Sequence, residues 1–184
     1  MASTKHKVNT MTPGAKDAAL GDKVAGLITL VNSLKASLSY MALSSAGLAI
    51  GTTTSQVKIA NTVTYLNAGV VKTKTTADIA FTATVHDIAA NASVVREAVY
   101  LLSLAANGTA TITKGVEATG SGKALIPETP AGQTPIGHVR IAVAAGATPF
   151  DATTNALNAG HLTVTYTNMA FDASKLGADV EALT

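Results

Sequence analysis

The sequence predicts a mainly β protein: an antiparallel β-sandwich or jelly-roll-like domain preceded by an N-terminal α-helix with a heptad pattern. Three observations lead there. Apolar residues recur every 3.5 positions from Leu20 to Leu48, and the period changes to two after Gly51. The alternating segments are short and bounded by Asn, Gly and Pro turn signals. The 184 residues are 47% hydrophobic but only 4% aromatic, with no Trp. The apolar content is therefore Ala, Val, Leu and Ile, which suit sheets and helix seams better than a pocket for a flat ligand.

This length accommodates one ordinary domain plus an appendage. The expected division is a basic arm over 1–18, an oligomerising helix over 19–50, a β-sandwich over 51–171 and a tail over 172–184. Net charge is +2 but unevenly placed. Lys5, Lys7, Lys16, Lys23, Lys35 and Lys58 outweigh Asp17 and Asp22 in the first 58 residues, leaving the remainder slightly acidic. Lys5, Lys7, Lys16 and Lys23 form the candidate docking arm. A nucleic-acid binder would carry a denser basic patch, so nucleic acid is not expected as a partner.

In the stretch LGDKVAGLITLVNSLKASLSYMALSSAGLAI, Leu20, Leu27, Leu34, Met41 and Leu48 fall at d positions. Val24, Val31 and Leu38 fall at a, with Ser45 at the a position between Met41 and Leu48. Ile28 and Leu30 widen the seam at e and g. A wide seam favours three or more helices, or a helix laid on a sheet, so self-association is expected as a trimer before a dimer. Pro13-Gly14 bars upstream extension, Asp17 or Asp22 suits the first turn, and Gly47 and Gly51 are stop signals. Gly21 and Gly26 oppose the helix by about 1 kcal/mol each. Asp22, Lys23, Asn32, Lys35, Ser37, Ser39, Ser44 and Ser45 interrupt the apolar run, so a membrane span is not expected.

Beyond the polar TTTSQ, QVKIANTVTYL alternates, with Val57, Ile59, Val63 and Tyr65 on one face. NAG marks a turn into VVKTKTT. IAFTATVH alternates again, placing His86 among exposed polar residues. VYLLSL reads as a strand buried on both faces, and ASVVREAV before it as a helical turn. AANG followed by TATITK is the clearest hairpin, because Asn-Gly supplies the positive φ that tight turns need. The Pro- and Gly-rich segment 114–137 reads as a crossing loop with a short strand at KALI. HVRIAVAAG and HLTVTYTN close the series. Seven or eight short strands over about 115 residues suit a sandwich or jelly roll.

Chemical motifs are wanting. TGSGKAL lacks the first Gly and the final Ser/Thr of a phosphate loop. The absence of Cys removes thiolate catalysis and disulfides. His6, His86, His138 and His161 form no ligand-spaced pair, and no calcium-loop spacing occurs. No catalytic residue, metal or cofactor is expected. The start, MASTKHKVNTMTPGAK, lacks the apolar core of a secretory signal.

TYLNAGVVKTKTTADIAFTAT, YLLSLAANGTATITKG, IPETPAGQTPIGHVRIAV and TTNALNAGHLTVTYTN resemble a recurrent pattern in structural proteins of tailed bacteriophages, of the head-decoration, cement and head-fibre type. The resemblance spans roughly residues 57–171. It implies a non-enzymatic virion component on the outer capsid surface, with the major capsid protein and its own copies as partners. The alternative is a head or tail fibre adhesin whose loops 115–137 and 144–160 recognise a host glycan or receptor.

Overall fold

The computed structural model describes residues 13–90 and 92–170, and it falls into two units, divided between Ser37 and Leu38. The described residues of the first are helical and belong to α1 (Pro13–Leu38), whose last residue falls in the second unit. Proline opens the helix, which suits a position whose N–H has no intrahelical partner in any case. At about 1.5 Å per residue its 26 residues span about 39 Å. The helix stops at Leu38, not at residue 50 as the heptad suggests.

The second unit is mainly β, and its sheets are antiparallel. β1 (Met41–Ala42), β4 (Val63–Asn67) and β5 (Val70–Lys74) form one sheet in the order β1-β4-β5. β2 (Ala49–Ile50), β3 (Gln56–Ile59) and β6 (Ala77–Ala80) form a second, β2-β3-β6. The largest contains β7 (Arg96–Leu104), β8 (Ala110–Lys114), β10 (Thr134–Val143) and β11 (Leu162–Asn168), ordered β11-β10-β7-β8. β9 (Ala118–Thr119) adds to the start of β7.

One hydrophobic core draws on all three sheets, including Val57, Ile59, Tyr65, Tyr100, Leu102 and Ile141. The alternation in QVKIANTVTYL places its apolar residues inward as expected. However, the chain bends at Ala60–Thr62, and the two halves join different sheets. Asn107-Gly108 makes the expected turn, with Gly108 at φ 80°. Gly137 lies at a bulge between β10 and β7. A Cβ there would stand 2.5 Å from both Leu48 Cδ1 and the Thr167 carbonyl oxygen, so only glycine fits.

Three local expectations are corrected. Residues 96–99 of ASVVREAV belong to β7, because long central strands are buried on both faces and need no alternation. The alternation of IAFTATVH ends with β6 at Ala80. The chain then turns through Thr84 at φ 61°, burying Phe81 and His86 and exposing Val85. KALI forms no strand.

Candidate functional site

On the helix, the seam residues Leu20, Val24, Leu27, Val31 and Leu38 are all exposed, as are Ile28 and Leu30. Leu27 is 61% exposed and Leu30 65%. A helix in water draws most of its stability from packing an apolar face, not from propensity. Fully burying one Leu or Val side chain contributes about 1.5–3 kcal/mol. Exposure does not set the seam apart, since every described side chain of α1 from Leu20 to Asn32 is exposed. The Leu34 side chain lies outside the described residues.

Met41 and Leu48 leave this surface. Met41 opens β1, paired with Leu66, and Leu48 is buried in the core of the β unit. Their heptad spacing is kept although Met41 lies in β1 and Leu48 in the irregular segment before β2. Ser39-Tyr40 ends the helix, and the Leu48 N–H is held by the Asn168 side-chain oxygen at 2.9 Å. Of the proposed arm, Lys23 is exposed on α1 and Lys16 lies within α1. Lys5 and Lys7 lie outside the described residues.

In the β unit, polar side chains act mainly as pins. The Glu97 side chain is 1% exposed on the face of β7 away from the main core. Its carboxylate accepts hydrogen bonds from the Gly122 N–H at 2.7 Å, the Ala124 N–H at 3.1 Å and the Arg140 guanidinium. The GSGKA segment is thereby fastened to the sheet, and its N–H groups point to a carboxylate of the same chain. Farther along the same loop, the Gln133 side-chain oxygen accepts from the hydroxyls of Ser103 and Thr111, both at 2.5 Å. The crossing loop is thus tied down near both ends of β7. Arg96 and Lys114 flank Glu117 at 3.1 and 2.7 Å.

His86 is buried, not exposed as its strand setting suggests. Its Nδ1 accepts the Thr82 N–H at 2.7 Å, so the proton sits on Nε2, which donates to the Ile112 carbonyl at 3.2 Å. Burial lowers its pKa and Lys114 adds to this, against opposing contributions from Ile112 and Asp87. Tyr100 donates to the His86 carbonyl at 2.5 Å and packs edge-on against Phe81 and Phe150. Asp87, the neighbour of His86, turns elsewhere and accepts the Ala152 N–H at 2.8 Å. The two side chains turn to different partners, and His86 staples a turn to the core. Sequence reasoning missed the Glu97 pin and the His86 staple. Their only sequence signal was a charged residue within a strand and a titratable one beyond the end of another.

Among the described residues no group of three or more His, Asp or Glu side chains is placed to hold a metal ion. No helix among the described residues is long and apolar enough to cross a membrane. A surface groove of about 450 Å³ lies between Gly115–Ala118 and Lys123–Glu128, with Val116 and Leu125 exposed at its rim. No protein-family model, curated protein or solved structure matches the chain.

Proposed function

We propose that this protein is a structural component of a bacteriophage capsid, a cement or decoration protein that binds the outer surface of the assembled shell as a homo-oligomer. The observation that carries the reading is the exposed heptad seam of α1, joined to a compact β unit whose polar side chains serve to pin loops. The strand-and-turn phrases of the β region resemble such proteins and support it further. We read the large sheet and the two smaller sheets as the layers of a sandwich around the shared core. The seam of Leu20, Val24, Leu27, Val31, Leu34 and Leu38 would gather copies, a trimer before a dimer. Multivalency then multiplies weak contacts with the major capsid protein. Lys5, Lys7, Lys16 and Lys23 would add a salt-sensitive contribution to docking.

A ligand that binds only the finished shell stabilises that shell by mass action. Particles lacking the protein should assemble but release DNA at lower temperature, and added purified protein should restore resistance. Identical heat-release curves with and without it, alongside a defect in adsorption to cells, would replace this reading with the adhesin.

A further inference from the structure

β11 is the outer strand of the largest sheet, and its composition differs from that of the other described edges. Its seven residues, LTVTYTN, include no charge, no proline and no glycine. Natural edge strands are usually blunted by charge, proline, a bulge or shortness. β5 carries Lys72 and Lys74, β6 carries Asp78 and is four residues long, β8 ends in Lys114, and β1 and β2 are two residues each. β11 alone among them is both long and unguarded.

The direction of its backbone follows from its pairing with β10. Ala144 N–H bonds the His161 carbonyl and Met169 N–H bonds the Ile136 carbonyl, both on the β10–β11 register. Hydrogen-bonded pairs alternate along an antiparallel ladder. Thr163, Thr165 and Thr167 therefore turn their backbone groups toward β10, and Val164, Tyr166 and Asn168 present theirs to the open edge. The Thr side chains are exposed, whereas those of Val164 and Tyr166 are half-buried on the opposite face.

We propose that β11 pairs with β11 of a second copy about a two-fold axis centred on Thr165. The side chains are complementary to themselves in this register. Thr165 meets its own copy, Thr163 meets Thr167, and Val164 meets Tyr166. Thr–Thr and aromatic–β-branched pairs are favoured neighbours across strands, and no like charges oppose. Val164 and Tyr166 exchange backbone hydrogen bonds in both directions, and the two large sheets become one continuous sheet. A two-fold contact is closed, so by itself it joins two copies and no more. It uses no residue of the helix seam, so it stands or falls apart from that oligomer.

Thr165→Cys in the full-length chain tests the register, since the protein has no other cysteine. Thr165 and its copy form a non-hydrogen-bonded pair with Cα atoms about 4.5 Å apart, within the usual disulfide span of about 4.4–6.8 Å. Thr163→Cys places the same thiol about 13 Å from its copy, four residues along the strand at about 3.3 Å each. Mild oxidation should convert Thr165→Cys to a covalent dimer and leave Thr163→Cys monomeric under denaturing conditions. The dimer should persist when Leu27→Asp and Leu34→Asp are added. In the Leu27→Asp, Leu34→Asp background, Thr165→Lys and Thr165→Glu should each halve the native mass, and mixing the two should restore it. Equal cross-linking of the two cysteine variants, or no loss of mass on adding Thr165→Lys to that background, would overturn the proposal and leave this edge to a strand of another protein.

Discussion

The Glu97 carboxylate and the Arg140 guanidinium form an ion pair across β7 and β10, and the same carboxylate holds two N–H groups of the 120–124 loop. One buried anion thus joins two strands and a loop. Removing it leaves three donors without their acceptor.

Glu97→Ala should therefore destabilise the β unit by about 3 kcal/mol, the lower end for a broken buried pair because Arg140 retains some contact with water. Glu97→Gln keeps an oxygen for one donor and should cost less. Urea denaturation measures both. Limited proteolysis should cut Glu97→Ala first near Gly122, and cleavage at the wild-type rate would remove the pin from the account.

Acid should weaken the fold through His86. Its pKa is lowered in the folded state, mainly by burial, so the unfolded chain binds the proton more readily. Stability is full above the unfolded value of about 6.5 and falls as pH drops from there toward the folded pKa. The protonated ring would also point an Nδ1–H at the Thr82 N–H. His138, lowered by burial and by Arg140, acts in the same direction. Melting temperatures between pH 7.5 and 4.5 should fall, and His86→Gln should flatten that slope while being less stable at neutral pH. An unchanged slope would assign the acid sensitivity to other groups.

Leu48 separates two readings of the same residue. Leu48→Ala should cost about 2–5 kcal/mol, as for other buried leucines, and leave the association state intact. Calorimetry and light scattering on one sample check both halves. A loss of association without a loss of stability would return Leu48 to the seam.

Leu27→Asp with Leu34→Asp puts unpaired charge into the seam. Association through the helix should be lost, because an uncompensated charge cannot be buried at tolerable cost, and the circular dichroism of the β unit should persist. A mass equal to that of the wild type would mean that the helix is covered by something other than its own copies.

The chain's period alone determined that a helix precedes a mainly β region, because a 3.5-residue repeat and a two-residue alternation bury different faces. It also located the Asn107-Gly108 turn, whose backbone demands are local. The end of the helix was not legible. Met41 and Leu48 satisfy the heptad, and only tertiary contacts removed them from it, the pairing of Met41 with Leu66 and the core that Leu48 joins with Tyr65, Val139 and their neighbours. Burial of His86 and Glu97 was decided in the same way. Glu97 is fixed by Gly122, Ala124 and Arg140, 25 or more residues away, and His86 by Ile112 together with the nearby Thr82. Local pattern records which way a side chain points, whereas long-range packing sets what it meets there.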